Sequence, residues 1–309
     1  MLGPAGRASG RAVGGNGGVD YRPVSSLTIF EALGQARRNI ADIDARMLLQ
    51  YVLDVNHAYL LAHPEQKLTA EQAQAFYLLT GRRTLGEPVA YLTGRREFYS
   101  LEFNVTPAVL VPRPETELLI DLALARIPPQ RPCRILDLGT GSGAIALTLA
   151  THRPLAKVTA VDVSAAAVAV ANANAARFSL NNVRVIEADW FEGVAGESFD
   201  LIVSNPPYIA GDDPHLAQGD LRFEPQIALV APSEGLGCIR LIIDSAPAHL
   251  APEGSLLLEH GYDQAEACRC LLREAGFREV FSQPDLAGIM RVSGGWFRSF
   301  PGEAAKMRY

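Results

Sequence analysis

Cysteine is scarce in this chain of 309 residues: four occur, Cys133, Cys238, Cys268 and Cys270. No two of them form a CxxC pair, and no His/Cys cluster has the spacing of a zinc site, so no metal is expected. Cys268 and Cys270 stand two apart on an expected helix and therefore point away from each other. A reducing, cytoplasmic setting is the expectation. The six histidines lack a nucleophile or ligand partner at a telling spacing and read as structural. Long apolar runs are absent too. With no stretch of about 18 apolar residues, no membrane-spanning helix is expected. The opening "MLGPAGRASGRAVGGNGGVDYRP" lacks the apolar centre of a secretory signal. Arg7 and Arg11 without early acids suggest a transit peptide, but the glycines oppose an amphipathic helix, and residues 1–24 read as a disordered extension. Nor is there a surplus of positive charge. Twenty-eight Lys and Arg against 34 Asp and Glu leave −6, which argues against a protein that holds nucleic acid by broad electrostatics.

What is present is ample apolar material, 48% of the residues, enough for one to two domains. Residues 25–92 read as helical. "LTIFEALGQARRNI" and "ARMLLQYVLDV" carry apolar residues at three- and four-residue spacing, and Thr69 with Gln72 makes a capping box. Over 93–112 the pattern shifts toward alternation with aromatic and β-branched residues, the mark of a hairpin linking two domains. A third region, 113–300, alternates strand and helix. Its strands are "RILDL", "KVTAVD", "VRVIE", "FDLIVS", "GSLLLE" and a terminal pair near "REVFSQ" and "GIMRVSG". That order predicts an α/β, doubly wound, mostly parallel sheet, whose ligands bind beyond the carboxyl ends of the strands.

Two of those strand ends carry chemistry. "ILDLGTGSGAIALTLA" is strand, glycine turn, helix; Gly139, Gly141 and Gly143 permit a tight turn and close approach to a ligand. Asp162 ends the next strand, where a carboxylate can accept both hydroxyl protons of a ribose. Gly139-x-Gly141-x-x-Ala144 also satisfies the dinucleotide fingerprint, so the loop alone does not separate a dehydrogenase from a methyltransferase. Asp137, just before the loop, is unfavourable near a pyrophosphate and favourable near a sulfonium with its amino group. This tips the reading to S-adenosylmethionine. The fourth strand ends in "VSNPPYIA". Proline is nearly excluded from central strands, so the strand must stop there. The Asn205 amide oxygen and the Pro206 carbonyl can accept the two protons of an incoming –NH2. Pro207 stiffens the turn, and Tyr208 can pack on a planar group.

These motifs, "DLGTGSG", Asp162, "ADW" and "NPPYI", resemble those of amino-methylating, S-adenosylmethionine-dependent methyltransferases. The flanking "PVAYLTGRREFYSLEFNV", "VLVPRPETE" and "RFEPQIALVAPSEGL" are similar to the release-factor glutamine methyltransferases, the PrmC/HemK family, over about residues 26–298. The resemblance implies a helical N-terminal domain, a linking hairpin and a seven-stranded Rossmann-like catalytic domain; the helical layer carries no cofactor motif and is therefore expected to grip the protein substrate. The resemblance also implies methylation of the side-chain amide of the glutamine in the GGQ motif of peptide chain release factors, leaving S-adenosylhomocysteine. By position, Gly139, Thr140, Gly141, Ser142 and Gly143 would hold the cofactor, Asp162 its ribose and Trp190 its adenine. Asn205, which also borders the cofactor, would hold the glutamine with Pro206, Pro207 and Tyr208. Without the family, Trp190 reads as a core aromatic. Arg113 and Glu115 are assigned no firm role. A monomer is expected. Four alternatives compete: a ribosomal-protein glutamine methyltransferase with similar motifs, an adenine-amino DNA methyltransferase using the same tetrapeptide, a non-catalytic cofactor-binding adaptor, and a nicotinamide oxidoreductase. The acidic charge and lack of a basic target-reading segment oppose the DNA enzyme. An intact Asn205 opposes the adaptor, and the tetrapeptide is left unexplained by the oxidoreductase.

Overall fold

The computed structural model describes residues 27–298. The expected glycine-rich extension, 1–24, and the last residues of the expected catalytic region lie outside them. The chain divides into two compact units between Gly81 and Arg82.

The first unit is helical: α1 Ile29–Ala36, α2 Asp42–Leu53, α3 His57–Ala62 and α4 Ala70–Thr84, the last running on into the second unit. Local chemistry fixes the helix starts. Thr28 and Glu31 form a reciprocal capping box before α1, Glu31 N–H donating to Thr28 Oγ1 at 3.2 Å and Thr28 N–H to Glu31 Oε2 at 2.9 Å. Thr69 and Gln72 repeat the device at 3.2 and 2.9 Å before α4. Each cap contributes about 1 kcal/mol. Ile29, Leu48, Leu49, Leu60 and Phe76 are buried, whereas Phe30, Ile43, Leu61 and Leu78 on the same helices remain more than 60% exposed.

The second unit adds α5 Val89–Thr93 and a hairpin of β1 Arg95–Phe98 and β2 Leu101–Asn104. Its turn places Tyr99 and Ser100 at φ 51° and 62°. Acceptor side chains support this turn, with Tyr99 N–H donating to Glu117 Oε1 at 2.9 Å and Ser100 N–H to Glu97 Oε1 at 2.6 Å. The α/β body follows: α6 Glu117–Arg126, β3 Arg134–Leu138, α7 Ala144–His152, β4 Lys157–Asp162, α8 Ala165–Arg177, β5 Val183–Glu187, β6 Phe199–Ser204, α9 Gly237–Ser245, β7 Leu250–Glu259, α10 Ala265–Glu274, β8 Arg278–Pro284 and β9 Met290–Phe297.

The sheet has seven strands in the order β5-β4-β3-β6-β7-β9-β8. The first five are parallel, and β9 runs antiparallel to both β7 and β8. The expected doubly wound α/β architecture is thus the one observed. Central strands covered on both faces read as unbroken apolar runs; in β3 every residue after Arg134 is buried. One face packs on α6, α7 and the hairpin, burying Phe103, Ile120 and Leu147, and the other on α9 and α10, burying Ile239, Ile242, Cys268 and Leu272. α7 is apolar on all sides and buried from Ala144 to Ala150, as a helix between sheet and outer layer must be. On α10, Cys268 faces the core and Cys270 is exposed; all four cysteines are free.

Between β6 and α9 the chain makes an excursion from Asn205 to Leu236 through three short 3-10 turns, Pro214–Ala217, Gly219–Phe223 and Gln226–Ala228. It closes on itself: Ile209 N–H donates to Leu229 O at 3.0 Å and Ala231 N–H to Ile209 O at 2.9 Å.

Candidate active site

Chain order runs outward from β3 through β4 to β5, then returns to β6 on the other side of β3. That reversal opens a crevice at the carboxyl ends of β3 and β6, where doubly wound sheets take ligands. The register pairs Leu138 with Ser204, and Ser204 Oγ donates to Leu138 O at 2.7 Å. Gly139 and Asn205 therefore leave adjacent strand ends side by side. Across the sheet, from β5 to β7, the ends present Trp190, Asp162, Gly139, Asn205 and Glu259.

The glycine turn is built by backbone geometry. Gly139, Gly141 and Gly143 sit at φ 71°, 56° and 84°, which side chains with a Cβ rarely adopt. Gly139 and Thr140 N–H donate to Val161 O at 2.9 and 3.0 Å. Asp162 holds the turn with both oxygens, accepting from Gly141 N–H at 2.8 Å and Ser164 N–H at 2.9 Å. Each oxygen keeps a further lone pair for a ligand. Asn174, buried on α8, donates to Ser142 O at 2.9 Å and to Asn104 O at 3.0 Å, which ties the turn to the hairpin. Trp190, at φ 43°, is half-buried. It packs against the apolar cluster of Leu138 and Val161, and a Cβ at Gly139 would lie 3.8 Å from its ring. Trp190 is thus both a core aromatic and a neighbour of the glycine turn.

Asp137 is fully buried. Its Oδ2 accepts from Thr140 Oγ1 at 2.7 Å and Ala146 N–H at 3.2 Å, while Oδ1 has no partner. Burial pushes its carboxyl up to about 7, against the pull of those two donors. A cation placed at Oδ1 would restore the charged form.

On the other side of the crevice, Asn205 Nδ2 donates to Thr116 Oγ1 at 3.1 Å. Thr116 closes the 3-10 turn Pro114–Thr116 and is buried. The Tyr208 phenol donates to Glu259 Oε1 at 3.3 Å. Burial and the Glu259 charge raise the Tyr208 pKa well above its ordinary value, so the phenol stays protonated. Gln264 fixes the end of the tetrapeptide, with Nε2 donating to Tyr208 O at 3.0 Å and Oε1 accepting from Gly261 N–H at 2.8 Å. A cavity of about 550 Å³ lined by Arg113, Glu115, Tyr208, Glu259 and Arg291 opens beside these groups. A smaller one of about 60 Å³ touches Asn205, Pro206 and Tyr208. Arg113 Nη2 pairs with the buried Glu224 Oε2 at 2.6 Å, so its charge is committed to the excursion after β6, while Glu115 lines the larger cavity.

The sequence-derived residues thus fall at neighbouring strand ends. Sequence reasoning missed Thr116, Asn174, Glu224, Glu259 and Gln264. Glu259 alone left a signal: an acid ending the apolar run "GSLLLE", as Asp162 ends "KVTAVD".

Residues 116–220 match the family model of the methyltransferase small domain, and residues 28–94 match that of the PrmC N-terminal domain. A release factor glutamine methyltransferase of Salmonella typhimurium is 50% identical over 270 residues, 87% of this chain and 97% of that one. One of Bordetella pertussis is 52% identical over 255 residues, 82% of this chain and 94% of its own length. In fold, the chain is similar to a T. thermophilus 16S rRNA methyltransferase solved in complex with AdoMet and guanosine, with a TM-score of 0.51 at 24% identity over 66% of this chain and 50% of that one. At half-identity over nearly the whole of such relatives, the chain belongs to the release factor glutamine methyltransferase family.

Proposed function

We propose that the protein methylates the side-chain amide nitrogen of the GGQ glutamine of peptide chain release factors, with S-adenosylmethionine as methyl donor. The observation that carries the reading is the Asn205 amide. Its nitrogen is tied back to Thr116, which turns its oxygen the other way, at a strand end adjacent to the glycine turn. An acceptor in that position suits an –NH2 group that must be held still.

The residues present fit the donor. The unpartnered, buried Asp137 Oδ1 beneath the turn suits a cationic group, and the spare lone pairs of Asp162 suit a ribose diol. Nothing lies within 4 Å of where a Cβ at Gly141 would stand, which leaves room for a ligand against the backbone. Gly139, Thr140, Gly141, Ser142, Gly143, Asp162 and Trp190 would hold it, with Asn205 at its border. When bound, S-adenosylmethionine supplies a methyl group activated by a sulfonium leaving group.

The chain's own work is orientation and charge stabilisation. An amide nitrogen is a poor nucleophile because its lone pair is delocalised into the carbonyl. Asn205 Oδ1 and the Pro206 carbonyl accept its two N–H bonds and stabilise the positive charge that develops there. Pro207 stiffens the turn, and the Tyr208 ring packs on the amide plane, so the nitrogen is held in a reactive geometry. Because the Tyr208 phenol is protonated, it is not the base; the surplus proton leaves to water.

We assign residues 25–92 to gripping the protein substrate, 93–112 to the link and 113–300 to the chemistry. The protein acts as a monomer, beside its translation-factor substrate in the cytoplasm, and the net charge of −6 supports a reading without nucleic-acid contact. The test is to incubate the protein with labelled S-adenosylmethionine and, separately, a release factor, ribosomal proteins or DNA. Label on the release-factor glutamine is expected; label on either of the others alone overturns the reading.

A further inference from the structure

A main-chain N–H can only donate and a main-chain carbonyl can only accept. Gln264, the residue before α10, stands between one of each. Its Oε1 accepts from Gly261 N–H at 2.8 Å, and its Nε2 donates to Tyr208 O at 3.0 Å. Reversing the amide would set –NH2 against N–H and oxygen against carbonyl, so both bonds would be lost together. The side chain therefore has one working sense, and that sense delivers a donor to the tetrapeptide. A side chain at this position ordinarily caps the helix that follows. That of Gln264 makes no cap bond; it is buried and spent on Tyr208.

The platform behind Gln264 is tied to three elements. His260, completely buried after β7, has Nδ1 2.8 Å from Gly261 O and Nε2 2.8 Å from Ser293 Oγ on β9. Ser293 meets Ser282 of β8 at 2.7 Å, and Ser282 Oγ accepts from Arg269 Nη1 of α10 at 2.8 Å. His260 N–H donates to Arg291 O at 2.9 Å. Gly261 therefore offers its N–H from a fixed place.

Tyr208 is held at both ends. Its carbonyl takes the Gln264 proton, and the N–H of the same peptide group, from Ile209, donates to Leu229 O at 3.0 Å. Its phenol donates to Glu259 Oε1 at 3.3 Å. On the entering side, Pro206 and Pro207 have φ locked by their rings. Gly235, at φ 86°, lies directly over the Gln264 bond: a Cβ there would collide with Tyr208 O and stand 2.8 Å from Gln264 Nε2.

We propose that Gln264 is a positioning residue for methyl transfer: by holding the Tyr208 carbonyl, it sets the Tyr208 ring against the substrate amide. The proposal rests on the function read above, in which that ring packs on the amide plane. Gln264 touches neither substrate nor methyl donor. Methionine at 264 keeps the length but makes neither hydrogen bond, so the peptide group after Tyr208 turns and the ring leaves its place.

The experiment uses the full-length enzyme, labelled S-adenosylmethionine and intact release factor. Wild-type inactivity on release factor would overturn the proposed function and this inference with it; the variants below test the inference alone. With an active wild type, Gln264→Met is expected to lower kcat roughly 10- to 100-fold, the cost of a misplacement of about 1 Å set from outside the chemistry. KM for release factor and affinity for S-adenosylhomocysteine should hardly change. In the Tyr208→Ala background, measured against that variant's own residual rate, Gln264→Met should cost less than about twofold, because a missing ring cannot be displaced. The same factor in both backgrounds would make Gln264 a purely structural residue and overturn the proposal, as would a Gln264→Met kcat within about twofold of wild type. If Gln264→Met does not fold, Gln264→Ala is judged by the same two measurements, and failure of both to fold assigns Gln264 to stability and overturns the proposal.

Discussion

Gly141 and Gly143 both have positive φ, yet a side chain would meet open space at one and packed core at the other, and alanine at each separates the two. At Gly143 the new Cβ would lie 2.8 Å from Leu147 Cδ1, 3.0 Å from Leu147 Cγ and 3.4 Å from Ala171 Cβ. Leu147 is completely buried and has nowhere to swing. A left-handed backbone costs alanine about 1–2 kcal/mol, and overpacking a filled core costs about 1–3 kcal/mol. The sum, about 2–5 kcal/mol, corresponds to a fall in Tm of about 4–20 °C for a body of this size. At Gly141 nothing stands within 4 Å of the new Cβ, so only the backbone cost of about 1–2 kcal/mol applies. There the methyl would occupy the space proposed for the ligand. Gly141→Ala should therefore lower Tm by less than Gly143→Ala and weaken S-adenosylhomocysteine binding by roughly tenfold or more. Scanning calorimetry without ligand and titration calorimetry with it measure the two effects. A Gly143→Ala protein that melts with wild type, or a Gly141→Ala protein that binds as wild type, would refute the assignment.

Other changes probe the remaining groups. Asp162→Ala removes a charged acceptor whose hydrogen bonds are worth about 1.5–3 kcal/mol each; cofactor affinity measured by calorimetry should fall about tenfold or more, and unchanged affinity would deny it the ribose. Asn205→Ala should lower turnover on release factor by about 10²–10³, with cofactor affinity kept; full activity in a well-folded variant would reduce Asn205 to a turn residue. Asp137 holds its proton up to about pH 7 in the folded protein, whereas the unfolded chain releases it near pH 4. Between those values the native state binds more protons, so this group's contribution to stability declines as pH rises. Asp137→Asn should accordingly gain in Tm relative to wild type from pH 4 to pH 8, and parallel curves would contradict the buried carboxyl. Serine at Phe30, Ile43, Leu61 and Leu78, exposed on the helical unit, should raise KM for release factor and spare kcat; an unchanged KM would remove that unit's assigned role.

The alternation of strand and helix was legible because period and apolar runs are local properties. The capping box at Thr69 was legible for the same reason, although the one at Thr28 was passed over. Less legible was the place of β9. Its antiparallel pairing with β8 follows from adjacency, but its insertion between β8 and β7 depends on which edge of the sheet remains open. The residues proposed to face the ligand stand out in the sequence because they terminate strands. Asp137 shows the limit: its place just before the turn is plain in the sequence, but its depth beneath the turn, and its service to Thr140 and Ala146, depend on packing. Thr116 and Glu259 lie far apart in sequence and meet Asn205 and Tyr208, respectively, only through the fold. No spacing rule links them.

The excursion after β6 has a consequence for how this catalyst can be reshaped. Its first residues are Asn205, Pro206, Pro207 and Tyr208, and Ile209 is clasped by Leu229 and Ala231 on the returning chain. Arg113 and Glu224 pin it a second time. The mostly exposed stretch between the clasp points, residues 211–219, reaches the cavity beside Tyr208 and Glu259 through His215, Gln218 and Gly219. Surface segments of this kind tolerate insertion and exchange. It is a natural graft point, where residues can be swapped to tune which surface borders the cavity while the backbone clasp at Ile209 is left in place.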